Sequence, residues 1–281
     1  MIAQQICLNG EYYNSKAPIF YFNNRAFCYG DALFETVFVS SKKIPLLNLH
    51  YNRLVEGMKA LKMKIPADFT TQNIYLMIEK LLNKNRLFQG VRVRISVFRN
   101  QGGLYTPTNN EISYLIETTK LDKEYYDLDK KGLYLGNYNE IKKSVNYLSK
   151  FKNSNSLIYV MAGLYKNENN FDDCLIYNQH DRIIESISSN LFIVKDKIIY
   201  TPSIDSGPVD GVMRKVVFSI CKMEGYKLIE KDLSENDILS ADEIFLTNAI
   251  SGINWVLAYK DRRYYNLFSK ELLNTINTSL F

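Results

Sequence analysis

The sequence predicts an α+β protein in two parts, and three observations carry that prediction. Stretches in which apolar residues recur every second position alternate with stretches in which they recur every three or four. The alternation lacks the regular spacing of βαβ units, which argues against a single doubly wound sheet. A stretch at 121–131 is dense in charge and has no sustained apolar face, so it reads as a linker. The predicted organisation is an N-terminal α+β domain over 1–120, the linker at 121–131, and a C-terminal domain over 132–281.

The elements follow in order. Residues 2–8 read as a strand closed by the tight-turn pair Asn9-Gly10, and 34–39 is a β-branched and aromatic strand. From Leu47 the apolar positions Leu47, Tyr51, Leu54, Met58 and Leu61 mark an amphipathic helix, and 72–82 predicts a second. Residues 90–98 (GVRVRISVF) alternate apolar with basic or polar residues, a half-exposed strand. The Gly-, Pro- and Asn-rich stretch 100–110 is a loop, and 111–118 is the next strand. Beyond the linker the sequence predicts helices over 154–166 and 211–224, with short strands at 174–177, 183–185 and 191–194.

Composition narrows the function classes. The 281 residues are 46% hydrophobic and 23% charged, enough for a sizeable core. A net charge of +5, with basic and acidic residues interspersed, lacks the one-sided basic face of a nucleic-acid binder. No apolar run reaches the ~20 residues that span a bilayer, and the N-terminus lacks a secretory pattern. Cys7, Cys28, Cys174 and Cys221 show no metal-ligand spacing and read as reduced, buried cytoplasmic thiols. His50 and His180 are the only histidines, too few for a His-based zinc site and poor material for a Ser-His-Asp triad.

Four segments carry chemistry. His50 and Arg53 stand near the start of a helix, where an Arg fork matches phosphate oxygens; a solvated helix face is the plainer reading. Lys150 and Lys152 precede a predicted helix, an element boundary that can fix the backbone around a reactive amine. Glu185 ends a short strand, either exposed or buried against a cationic nitrogen. The residues 208–214 (PVDGVMR) form a glycine turn opening a helix, whose free N–H groups can cradle phosphate.

The order and spacing of these segments resemble the class-IV aminotransferases, the fold type IV pyridoxal-phosphate enzymes. This group includes 4-amino-4-deoxychorismate lyases and the branched-chain and D-amino-acid aminotransferases. The matching stretches are 25–36 (RAFCYGDALFET), His50-x-x-Arg53, Lys152-x-x-Asn155, 185–192 (ESISSNLF), 211–214 (GVMR) and 241–249 (ADEIFLTNA). The resemblance implies a two-domain fold type IV enzyme, with a small N-terminal α/β sandwich and a larger, barrel-like C-terminal domain. It implies pyridoxal 5'-phosphate as cofactor, bound through a Schiff base to Lys152, with Lys150 the competing lysine. Glu185 would pair with the pyridine nitrogen, and Arg53 would hold the phosphate, assisted by the backbone N–H groups of Val212 and Met213 at the Gly211 helix entry. Asn190, Asn248 and Ala249 would complete the cofactor contacts. His50 is expected to pack or hydrogen-bond structurally. A cytoplasmic homodimer acting on a small amine or amino acid is implied as well, with no nucleic-acid, membrane or metal partner.

The reaction is open between lyase and transaminase. Thr36, after Phe34 and Glu35, resembles the lyases, as does Asn248-Ala249, where the aminotransferases commonly carry a phosphate-binding Thr. Arg99 followed by Gly102-Gly103 also resembles the lyases, although Leu104 stands where they carry a basic residue. The implied substrate contacts are Tyr29, Phe34, Thr36, Arg94, Arg99, Ala249 and Ile250, with Arg92 and Arg94 on one strand face. The favoured expectation is 4-amino-4-deoxychorismate lyase. The alternatives are a transaminase and a non-catalytic cofactor-binding descendant.

Overall fold

Alternating strands and helices sort into two units in the computed structural model, which describes residues 4–41 and 43–281. The first unit runs to Tyr125 and takes in Phe151–Asn155; the second comprises Tyr126–Lys150 and Ser156–Phe281. The change of unit at Tyr125 falls inside the charged stretch that reads as a linker. The return of Phe151–Asn155 to the first unit has no counterpart in the sequence reading, which assigns those residues to the C-terminal domain.

The first unit is built on an antiparallel sheet of β1 (Gln5–Leu8), β2 (Glu11–Asn14), β3 (Ala32–Val39), β4 (Val91–Arg99) and β5 (Ile112–Lys120), in the order β2-β1-β5-β4-β3. Asn9 and Gly10 both take positive φ, the geometry of a tight hairpin turn. The expected strand over 2–8 is described from Gln5 onward; Ile2 and Ala3 lie outside the described residues. Period-two alternation buries Leu33, Val37, Val93, Ile95, Val97 and Ile116 on one face. Helix α2 (Leu47–Ala60) packs against β3 and α3 (Thr71–Asn85) against β1. Phe34, Thr36, Arg92, Arg94 and Ser96, at the alternate positions, are half-buried.

A short helix α1 (Arg25–Tyr29), absent from the sequence reading, precedes β3. Five residues carry too little periodicity to register; its ends make it. Asn24 accepts from Ala26 N and Phe27 N at one end, and Gly30 closes the other at φ 65°.

The second unit contains β6 (Leu133–Lys143), β7 (Asp173–Asn178), β8 (Ile183–Ser186), β9 (Asn190–Lys195), β10 (Ile198–Thr201), β11 (Leu228–Glu230), β12 (Glu243–Asn248) and β13 (Gly252–Tyr259), with β14 (Arg262–Arg263) on β13. The order β9-β12-β13-β6-β7-β8 closes on itself because β8 also pairs with β9, giving a barrel-like ring. Leu135, Leu175, Ile183, Leu191, Leu246 and Val256 belong to its main buried cluster. The helices of this unit are α4 (Leu157–Glu168), α5 (Val212–Glu224), α6 (Glu235–Ser240) and α7 (Leu267–Leu280). The closed ring fits the two-part α+β architecture that the fold type IV resemblance implies. Among the described residues no helix is long and apolar enough to cross a membrane.

Candidate active site

Within the first unit, Lys152 sits on an added edge of the sheet. Phe34 N donates to Lys152 O at 2.9 Å and Ser154 N to Ala32 O at 3.0 Å, so 152–154 pairs with β3 like a short strand. Gly30 lets this segment approach: a Cβ there would lie 2.3 Å from Asn155 Oδ1, and its φ of 65° already disfavours a side chain. The Lys152 amine lies 4.6 Å from the centroid of the Phe34 ring, and the Arg94 guanidinium lies 4.2 Å from the same ring. Thr36 is the cross-strand neighbour of Arg94. Arg94 Nε donates to Ser96 Oγ, and its terminal nitrogens meet no acceptor among the described residues. Burial pulls the Arg94 guanidinium below its ordinary value, with Glu117 opposing and Arg92 adding to the shift. Lys150, the competing lysine, lies in the second unit, where its carbonyl accepts from Asp210 N and its amine lies 5.7 Å from the Tyr147 ring centroid.

Arg53 faces a carboxylate. Its Nε donates to Glu35 Oε1 at 2.7 Å and its Nη2 to Oε2 at 2.5 Å, a bidentate pair. His50 Nδ1 donates to Glu35 Oε2 at 2.6 Å. Glu35, His50 and Arg53 are 2%, 1% and 5% exposed, so these positions of α2 form its buried face rather than a solvated one. Burial by itself would push Glu35 up, but the facing Arg53 and the His50 hydrogen bond bring it down to about 2. Burial pushes His50 below its ordinary value against the pull of Glu35, which leaves it a neutral donor through Nδ1. Its Nε2 has no hydrogen-bond partner among the described residues.

Arg99, expected at the substrate, is committed elsewhere. Its guanidinium donates to Asp31, to Asn110 Oδ1 and to the carbonyl of Leu61, and it is 6% exposed. Asp31 also receives Arg25 Nε, and Arg25 Nη1 reaches the carbonyls of Gly102 and Leu104. These two arginines anchor the glycine-pair loop. Tyr29 ends α1 with its ring 5.5 Å from that of Tyr105 in the same loop.

Within the second unit, Glu185 and Asn190 face each other across the β8–β9 pairing and hold the backbone of one residue, Val209, at both its N–H and its carbonyl. Val209 N donates to Glu185 Oε2 at 2.8 Å, while Asn190 Nδ2 donates to Val209 O at 2.7 Å. Two residues on stands Gly211, the N-cap of α5, which has no side-chain cap. A Cβ on Gly211 would stand 1.8 Å from Asn190 Oδ1, so only glycine fits this close approach. The result is a fixed helix start whose first N–H groups, including those of Val212 and Met213, lack a capping side chain. Glu185 is buried, and its other oxygen accepts from Lys143 Nζ and from Tyr159 OH, both at 2.7 Å.

Asn248 makes local bonds. Its Oδ1 accepts from Ile250 N and Ser251 N, and its Nδ2 donates to Ser189 Oγ. The side chain shapes the β12–β13 turn. The Ala249 carbonyl is taken up by Tyr126 OH.

Glu35, Lys143 and Tyr159 are among the polar residues of these clusters that the sequence reading does not single out. Glu35 had a local signal, because it shares strand parity with Leu33 and Val37 and so belongs to the buried face. Lys143 and Tyr159 had none, being brought to Glu185 only by the closed ring and α4.

Residues 32–259 match the family described as amino-transferase class IV. The aminodeoxychorismate lyase of Vibrio harveyi is 28% identical over 232 residues, covering 82% of this chain and 83% of its own length. The D-alanine aminotransferase of Staphylococcus epidermidis is 22% identical over 249 residues, covering 87% and 85%. The T.th. branched-chain amino acid aminotransferase, in its structure with pyridoxamine 5'-phosphate, superposes with a TM-score of 0.86 at 21% identity, covering 97% of this chain and 92% of that one.

Proposed function

Because the chain belongs to the class-IV aminotransferase family, whose members are pyridoxal-phosphate-dependent lyases or transaminases, we propose that it is a 4-amino-4-deoxychorismate lyase. Its cofactor is pyridoxal 5'-phosphate. The residues present fit that group. The glycine cradle at Gly211 and the uncapped start of α5 suit a phosphate, and Glu185 suits a protonated ring nitrogen. Thr247 Oγ1, buried and without a partner among the described residues, adds a donor in the second unit. On this reading Val212 and Met213 give backbone N–H groups to the phosphate, with Arg53 assisting, its guanidinium held in orientation by Glu35. Asn190 acts by fixing the cradle.

The observation that supports the lyase reading is the shared Phe34 ring, with the Arg94 guanidinium 4.2 Å and the Lys152 amine 4.6 Å from its centroid. A substrate with two carboxylates gives the Arg94 charge an anionic partner. When bound, the cofactor supplies an electron sink for the carbanion. Lys152 Nζ takes the proton from the carbon bearing the substrate nitrogen, and Thr36 Oγ1 donates to the departing pyruvate, leaving 4-aminobenzoate.

The test is a side-by-side assay of pyruvate release from aminodeoxychorismate and of amino transfer from a panel of donors. Pyruvate release without amino transfer is expected, and Thr36→Val is expected to slow it about a hundredfold. Amino transfer alone would establish the transaminase, which would use Lys152 as its proton carrier as well. Unchanged release in Thr36→Val would remove Thr36 from the chemistry.

The same reading makes the protein a cytoplasmic homodimer. Its four free cysteines suit a reducing compartment; Cys7, Cys174 and Cys221 are buried as expected, whereas Cys28, on the short helix α1, is exposed. Leu157, Val160, Met161 and Leu164 line one face of α4 and are exposed, a charge-free stripe suited to a second copy. Light scattering should give twice the chain mass of 32.7 kDa; a monomer at micromolar concentration rejects the dimer.

A further inference from the structure

We infer that Lys143 is a positioning residue that shares Glu185 with the ring nitrogen of the cofactor and makes the proton on that nitrogen easier to lose. The inference rests on the reading of Glu185 given above. Its observation is the set of donors around that carboxylate.

Glu185 Oε1 accepts from Lys143 Nζ at 2.7 Å and from Tyr159 OH at 2.7 Å, and Oε2 accepts from Val209 N at 2.8 Å. The three donors come from the end of β6, the first half of α4 and the segment leading into α5, so the carboxylate is held in one orientation. The Lys143 ammonium also lies 5.7 Å from the Tyr159 ring centroid, which adds a cation–π contact. Burial, then Glu185, push the Tyr159 phenol well above its ordinary value, so it stays a neutral donor. Of the three donors, only Lys143 brings a charge.

The side chains of Lys143 and Glu185 are 12% and 4% exposed, so solvent screens their attraction little. A carboxylate accepting three hydrogen bonds retains acceptor capacity, so Oε2 can take one more donor. A ring nitrogen bound there would be the second cation on one carboxylate. Carboxylate and nitrogen together hold one proton; losing it leaves them with a net negative charge, which the neighbouring ammonium stabilises. Lys143 therefore lowers the pH at which the ring nitrogen gives up its proton, whereas Tyr159 and Val209 only orient the acceptor. The strength of the electron sink is thus set partly by a residue that need not touch the cofactor.

The experiment is nitrogen-15 NMR of the holoprotein reconstituted with pyridoxal phosphate labelled at the ring nitrogen, followed against pH. In Lys143→Met, which keeps the apolar stem over Tyr159, the protonated signal should persist to a pH about one unit or more above that in wild type. Lys143→Arg should restore the wild-type profile, and Lys143→Gln carries the same expectation as Met should the latter fail to fold. A nitrogen that holds its proton to the same pH with and without the Lys143 charge overturns the inference and leaves the cofactor reading intact. A wild-type protein that takes up no pyridoxal phosphate overturns both.

Discussion

Lys152→Ala is expected to abolish the absorbance band of covalently attached cofactor and to lower turnover by roughly a thousandfold or more, while the protein stays folded. The fold should tolerate the change because Lys152 binds β3 through its backbone: Phe34 N donates to its carbonyl, a bond that any residue can accept. Lys150→Ala is the matched control. The bond from Asp210 N also goes to a carbonyl, so the substitution keeps it, and near-wild-type absorbance and turnover are expected. Absorbance spectra and initial rates of the two variants decide between the lysines. A Lys152→Ala protein that retains the band would transfer the role to Lys150 and remove the basis of the proposed mechanism.

Glu35→Gln is expected to produce the largest loss of stability. Removing the carboxylate leaves the Arg53 charge buried beside a neutral amide, a change that costs about 3–5 kcal/mol and lowers Tm by roughly 10 °C in a chain of this size. The pH dependence has a definite sign. Glu35 falls from an ordinary 4.5 to about 2, so its contribution is present above pH 4.5 and lost as pH drops through 2. That difference amounts to about 3 kcal/mol over the window. Denaturant titrations at pH 5 and pH 2.5 should therefore converge: the gap between wild type and Glu35→Gln is wide at the higher pH and narrows at the lower. A gap of equal width at both values would mean that the Glu35 charge does not hold Arg53.

Strong periodicity made much of the fold legible. The alternation of β4 and the apolar stripe of α2 are visible without a structure, because each buries one face. Strand β6 is harder to read, since its second half (NYNEIKK) is polar and is held by its bulged pairing with β7. Motif order singles out Lys152, Glu185 and Gly211, but it records spacing and not contacts. The same order points to Arg99 and Asn248, whose contacts it does not record. Their sequence contexts match the motif, while their side chains are consumed by Asp31, Asn110 and the Leu61 carbonyl in one case and by the β12–β13 turn in the other.

The pairing of the Lys152 segment with β3 also bears on how the protein is made. Phe34 and Lys152 are about 120 residues apart in the chain, so their hydrogen bond closes a long loop and must form late. During synthesis the edge of β3 emerges first and waits, unpaired, until the chain has been extended beyond Asn155. An open strand edge is a template for pairing with other chains, so this interval is the period of greatest aggregation risk for a nascent copy. The residue proposed as the reactive base thus arrives with the segment that ends this exposure, and the first unit acquires its chemistry at the same step that completes its sheet.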